Sequence, residues 1–320
     1  MSEIAPETRL WNLIRGALGT RALGVVADLD IADALAAGPR GVDDLAGEVD
    51  ADPDTLYRLL RALASDGVFV EDEPRVFRNT DASELLRRHG DNRWSEFAHL
   101  WGDSFYEAIG GLDARSTDVA FTRVFGTDIW SWFAANPDER VIFDRSMEGG
   151  RAELADRLAA LDWRGVETVV DMGGGSGTLL RLLIDRCPGL HGVIFDLPET
   201  NRDEAQLGDR ISFVAGSFFE GAPTGDAYVL SKILHDWDDE HAAKILHTIR
   251  AAAPDHARVL VVDSVVPSGN DPNGVKWLDL LMLALQNGRE RNEADWRALL
   301  EGAGFVPQSI EDGLIQATCR

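Results

Sequence analysis

Val169-Val170-Asp171-Met172-Gly173-Gly174-Gly175-Ser176-Gly177 leads directly into Thr178-Leu-Leu-Arg-Leu-Leu-Ile-Asp-Arg186, and 19 residues past the last glycine the chain reads Phe195-Asp196-Leu197-Pro198. The first run is apolar, β-branched and ends in an acid, while the stretch after the glycines repeats its leucines at helical spacing. Together they predict the strand, tight turn and helix of an α/β nucleotide site. Glycines there let backbone approach a ligand where any Cβ would collide. Asp196 closes the next apolar run, Gly192-Val-Ile-Phe195, where its carboxylate can accept hydrogen bonds from ribose hydroxyls.

The glycine spacing separates two cofactor families. A dinucleotide fingerprint, G-x-G-x-x-G, would require glycine at Thr178. The chain instead places Gly173, Gly175 and Gly177 two apart, with Gly174 inside the turn and Asp171 before it. This version resembles S-adenosylmethionine (SAM) sites, where no pyrophosphate has to be cradled.

The length of 320 residues allows two domains with separate cores. We expect a helical segment at 1–92, a helical linker and substrate-pocket segment at 93–162, and an α/β catalytic domain at 163–320. Met-Ser-Glu-Ile-Ala-Pro-Glu offers neither a basic nor an apolar leader region, and no apolar stretch nears the ~20 residues of a membrane span, so a cytoplasmic protein is expected. Cys187 and Cys319 have no C-x-x-C partner, which argues against a disulfide framework or a thiolate metal site. A formal charge of −24 argues against nucleic acid, anionic membranes and phosphate-rich substrates as partners.

Up to about Arg88 the pattern is helical with one short β feature. Ile31 to Ala37 is stopped by Gly38-Pro39, Val42 to Val49 forms a short helix, and Asp52-Pro53 opens another with Leu56, Leu59, Leu60 and Leu63 on one side. Val68-Phe69-Val70 and Val76-Phe77 read as a two-stranded wing, giving a winged-helix outline. Charge decides against DNA: Val42 to Glu73 holds ten acids against Arg58 and Arg61, and such a surface repels phosphates. Protein contact fits better, with Leu10-Trp11-Leu13-Ile14 and Leu23-Val25-Val26 as a homodimer interface. Residues 94 to 143 hold 11 of the chain's 25 aromatic residues. Core packing accounts for most, yet Trp101, Phe143 and Met147 can also wall a flat aromatic ligand.

From Trp163 onward strands alternate with helices: 168–172, 192–195, 211–214, 227–231, 258–263, 305–309 and 314–318, the last two as a hairpin through Asp312-Gly313. Ligands of such sheets sit beyond the carboxyl ends of the strands. Leu230-Ser231-Lys232-Ile233-Leu234-His235-Asp236-Trp237 therefore brings His235 out on the cofactor side. An unperturbed imidazole, with a pKa of about 6.5, is mostly neutral at pH 7 and suited to general-base work. Asp263, ending its strand, and Glu290, in Gly288-Arg289-Glu290-Arg291, fall on the same edge if the sheet is parallel there. A carboxylate beside His235 would fix its tautomer.

Val-Asp-Met-Gly-Gly-Gly-Ser-Gly, Phe-Asp-Leu-Pro, Gly-Ser-Phe-Phe, His-Asp-Trp-Asp-Asp and Gly-Arg-Glu-Arg occur in the order and spacing of a known family. Over nearly its full length the chain resembles the SAM-dependent small-molecule O-methyltransferases of the plant caffeic-acid and bacterial polyketide-tailoring type. That resemblance implies a class I methyltransferase domain, with a seven-stranded mixed sheet, behind a winged-helix dimerisation domain, with a substrate pocket between them and no metal. It implies Gly173 to Gly177 at the methionine portion of SAM, Asp196 and Leu197 at the ribose, Ser217 and Phe218 at the adenine, and Ser231 and Lys232 at the cofactor rim. His235 matches the base, Asp236 its neighbour, Asp263 and Glu290 the flanking acids, and Met147 a methionine packed on the acceptor ring. Some relatives also reach the partner subunit's pocket with N-terminal residues, which singles out Trp11 and Arg15 as candidates here.

The chain also departs from that pattern. Ser217 stands where many relatives have an acid, and Asp263 where plant members carry Glu. One residue fewer between Met282 and Glu290 leaves open whether Gln286 or Asn287 faces the acceptor. The reaction expected is methyl transfer to a phenolic oxygen of a small aromatic molecule. N-methylation or non-methyl SAM chemistry on the same scaffold is the alternative, and a winged-helix regulator a more distant one.

Overall fold

The computed structural model describes residues 5–88, 93–198, 200 and 207–320. Residues 1–4 and residue 92, the expected end of the first segment, lie outside them. The chain folds as two compact units: Met1–Leu112 with Val124–Gly149, and Asp113–Arg123 with Gly150–Arg320. No helix among the described residues is long and apolar enough to cross a membrane.

In the first unit a long helix, Pro6–Asp28, is followed by helices Ile31–Ala34, Val42–Glu48 and Pro53–Ser65. Pro53 opens the last of these because its missing N–H falls where no helical partner exists, and Asp52 caps it by accepting from the Thr55 N–H. The wing contains one strand more than expected. β1 (Arg40–Gly41) pairs with β3 (Val76–Asn79), which pairs with β2 (Phe69–Glu73), all antiparallel. Val26, Ile31, Leu35, Leu45, Leu56, Leu60, Phe69 and Phe77 form the core.

The expected interface segment splits in two. Val26 is buried, whereas Leu10, Trp11, Leu13, Ile14 and Leu18, in the first half of the long helix, are each at least 58% exposed. Further along, His99 ties three helices together. Its Nδ1 lies 2.6 Å from Asp28 of Pro6–Asp28, and its Nε2 lies 3.0 Å from Glu139 of Pro137–Ser146.

The second unit is a seven-stranded mixed sheet in the order β6-β5-β4-β7-β8-β10-β9. The strands are β4 (Thr168–Met172), β5 (His191–Asp196), β6 (Ile211–Ala215), β7 (Ala227–Ser231), β8 (Arg258–Val262), β9 (Phe305–Glu311) and β10 (Leu314–Cys319). β4 to β8 run parallel, and β10 runs antiparallel to both β8 and β9. The hairpin turns at Asp312-Gly313, both at positive φ. Val170, Tyr228, Val259 and Val261 pack under helices Asp239–Ala252 and Glu293–Gly302, and Val169, Ile194 and Leu260 pack on Thr178–Arg186. Covered on both faces, these strands read as unbroken apolar runs rather than alternating ones.

Candidate active site

Because β4 to β8 are parallel, their carboxyl ends share one edge, and the strand order reverses between β4 and β7 at the place where α/β sheets bind ligands. At the end of β4 the chain turns through Gly173, Gly175 and Gly177, all at positive φ. The glycines serve different ends. A Cβ on Gly173 would lie 2.5 Å from Ile233 Cδ1, and one on Gly177 2.3 Å from Ile194 Cδ1, so both are required by protein packing. A Cβ on Gly175 would meet nothing within 4 Å, so this glycine leaves room above the turn. The turn is braced from β5: Asp196 accepts from the Gly175 N–H at 2.8 Å, the Leu197 N–H at 2.7 Å and the Thr200 hydroxyl at 2.8 Å. Asp171, the residue before last in β4, is buried, and burial pushes its carboxyl up to about 7, with Arg151 pulling the other way.

Beyond β7, Leu234–Asp236 forms a short 3-10 turn that buries His235. Glu290 lies 2.7 Å from His235 Nδ1, Asp263 3.9 Å from the same nitrogen, and Asp236 3.5 Å from Nε2. Gln286 Nε2 donates to Asp236 at 2.6 Å. Burial works against a charged ring, yet Asp263, the Glu290 hydrogen bond and Asp236 together raise the His235 pKa to about 9. This corrects the expectation of a mostly neutral histidine, because three acids outweigh desolvation. Burial pushes Asp236 up to about 7 and Asp263 upward as well, each drawn back by His235. Both Asp263 oxygens, Glu290 Oε2 and Gln286 Oε1 are buried with no hydrogen-bond partner among the described residues. Unmatched buried acceptors are costly, so this edge is built to receive donors.

Two family models match the chain, an O-methyltransferase domain over residues 105–306 and an O-methyltransferase dimerisation domain over residues 11–88. The chain belongs to the O-methyltransferase family. It is 35% identical over 311 residues to phenazine O-methyltransferase PhzM of Lysobacter antibioticus, a match covering 94% of this chain and 91% of that protein. It is also 35% identical over 337 residues to 3-amino-4-hydroxybenzoate 4-O-methyltransferase of Streptomyces cremeus, covering 99% and 92%. The solved structure of NcsB1, an O-methyltransferase from neocarzinostatin biosynthesis in complex with S-adenosyl-L-homocysteine (SAH) and 1,4-dihydroxy-2-naphthoic acid, matches at a TM-score of 0.78. Identity is 30%, covering 94% of this chain and 96% of that one.

This methyltransferase uses SAM, and the open space over Gly175 fits such a group. Leu197, just past β5, is exposed, and the Phe218 ring approaches Gly173 and packs edge-on against Phe219 and Trp237. The Ser217 hydroxyl accepts from the Phe219 N–H at 3.3 Å. Ser231 is buried and accepts from Arg151 at 3.0 Å. Arg151, which faces both Ser231 and Asp171, is invisible to motif reading because it opens an ordinary helix, Arg151–Ala159. Lys232, at φ 60°, donates its Nζ to Ser264 at 3.2 Å.

The remaining candidates are distributed as follows. On helix Val275–Gln286, Met282 is buried and Gln286 is engaged by Asp236, while Asn287 is the exposed left-handed residue that ends the helix. In the first unit Phe143 packs on Trp130 and Phe133, Met147 follows one turn later, and Trp101 is half-buried. Trp11 is exposed, and Arg15 is paired with Asp66 of its own chain.

Proposed function

We propose that the enzyme methylates a phenolic hydroxyl of a small planar aromatic natural-product molecule, with His235 as general base and Asp236, Asp263 and Glu290 as its supporting acids. Carrying this reading is the buried His235–Glu290 contact of 2.7 Å, which holds Nδ1 and leaves Nε2 to meet a hydroxyl. SAM, when bound, supplies a methyl group on a cationic sulfur. A cation beside the ring would favour the neutral imidazole, which lowers the His235 pKa from its ligand-free value of about 9. Nε2 then takes the hydroxyl proton as the oxygen attacks, Nδ1 stays on Glu290, and Asp236 and Asp263 balance the charge gained by the ring. A phenol of pKa near 10 is about one part in a thousand ionised at pH 7, so a placed base contributes on the order of 10² to 10⁴ in rate.

Asp171, Gly173, Gly174, Gly175, Gly177, Asp196, Leu197, Ser217, Phe218, Ser231 and Lys232 are proposed to hold SAM, and Trp101, Phe143, Met147, Met282 and Gln286 to touch the acceptor. An aromatic acceptor is supported by the named activities of the relatives. We also propose a homodimer through the exposed Leu10, Trp11, Leu13, Ile14 and Leu18, supported by the dimerisation-domain match and by the size of that apolar face. Trp11 would then lie in the interface, and Arg15 at its edge.

Incubation with SAM and a panel of hydroxy-aromatic acids, hydroxyphenazines, simple phenols and aromatic amines, read by product mass, tests the assignment. The expected result is one added methyl on oxygen for at least one aromatic class, together with release of SAH. Methylation confined to amines of the panel would refute it. Sedimentation of the native chain and of Leu13→Glu tests the dimer, with two copies expected for the first and one for the second.

A further inference from the structure

Arg291 takes no part in the reading above, yet its side chain is wholly buried. Burying a guanidinium is costly unless its donors are met, and here they are met by residues 234–239 and by the Arg289 carbonyl. Nη1 donates to the Leu234 carbonyl at 2.8 Å, Nη2 to the Trp237 carbonyl at 2.9 Å, and Nε to Asp239 at 2.9 Å. Leu234 and Trp237 are the residues on either side of His235-Asp236. The planar fork therefore grips both ends of the turn that carries the imidazole.

Two further contacts hold the same turn from the same segment, which is itself tied to the chain after Asp263. The Arg289 N–H donates to the His235 carbonyl at 2.7 Å. Gly288 lies so close that a Cβ there would sit 2.4 Å from the His235 oxygen. The Arg291 carbonyl accepts from the Val266 N–H at 2.9 Å, and Val265, two residues after Asp263, bridges to Arg291. The residue next to Glu290 thus joins the three pieces of chain that bear His235, Glu290 and Asp263.

We propose that Arg291 is a positioning residue for methyl transfer, holding the 234–237 turn so that His235 stays in register with Glu290 and Asp263; the inference rests on the reading of His235 as the base. Lysine cannot do the same, because a single ammonium cannot span two carbonyls in a fixed plane. A misplacement of about 1 Å in such a group costs on the order of 10²-fold in rate.

The test compares Arg291→Lys with His235→Ala in the full-length protein, using SAM and two phenols of one skeleton, one with an ordinary pKa and one acidified by ring halogens so that it is ionised at the assay pH. Arg291→Lys should bind SAH as the native protein does by calorimetry, and keep KM. It should lose kcat on the ordinary phenol by about 10²-fold, and recover most of that loss on the ionised phenol, as His235→Ala should. Asp239→Asn, at the solvent end of the fork, should show the same pattern at about tenfold, and it decides the matter if Arg291→Lys does not fold. Unchanged kcat in the folded variants would overturn the proposal. So would an equal loss on both phenols, which marks a merely structural residue. If His235→Ala itself turns over at the native rate, the base assignment falls and takes with it any role exercised through that ring.

Discussion

His99 and His235 carry the same perturbation in the two units of the molecule. Hydrogen bonds and charges from carboxylates raise each ring to about 9 against the pull of burial. Around His99 the partners are matched, with Asp28 on one nitrogen and Glu139 on the other, fastening three helices. Around His235, among the described residues, one nitrogen is held by Glu290, the other has only Asp236 at 3.5 Å, and four neighbouring oxygens are left without a donor. A raised pKa alone therefore does not mark a reactive histidine. Unspent hydrogen-bonding capacity beside it does.

His235→Ala breaks the comparison most strongly. It should lower kcat by on the order of 10² to 10⁴ while SAH affinity by calorimetry is kept, and native-like turnover would put His235 in the same class as His99. Glu290→Gln leaves the ring but loosens its grip on Nδ1, and a loss of about 10²-fold in kcat is expected from steady-state kinetics. The pH dependence comes next. A base acts deprotonated, and the folded pKa lies above the ordinary 6.5, so kcat/KM for SAM, which reports the enzyme before that cation binds, should keep rising with pH up to about 9. A plateau reached below pH 7 would show that the three acids do not hold the proton there.

The smallest effect belongs to His99. Its folded pKa exceeds the unfolded value, so its contribution to stability is full below pH 6.5 and fades as pH rises through about 9. His99→Gln should cost about 1 kcal/mol in a denaturant titration at pH 6 and much less at pH 9.5, with the chemical step unaffected. A loss independent of pH would mean that the pairing is not ionic.

The sheet is legible in the amino-acid order because strands buried on both faces become apolar runs, and the glycine turn because its spacing leaves few conformations. β1 is not, since Arg40–Gly41 is two residues long and follows a proline, leaving no alternation to detect. In the site, His235, Asp263 and Glu290 can be named from strand ends and motif. The ring's charge state cannot, because it depends on how near Glu290 comes from 55 residues away. Arg151 and Arg291 escape notice for the same reason: in a polar stretch an arginine reads as solvated surface, and only tertiary structure shows that one lies on Ser231 and the other is sealed under the turn that carries His235. Gln286 and Asn287 are separated by helix geometry, which aims the first inward and makes the second the cap.

Asp196 stands where a ribose is expected, and its carboxylate already accepts from the Gly175 amide. The glycine hinge is thus rigid before any nucleoside arrives. Docking the methyl donor need not freeze a floppy loop, so the amide of Gly175 should resist deuterium exchange in the ligand-free protein nearly as well as in the complex.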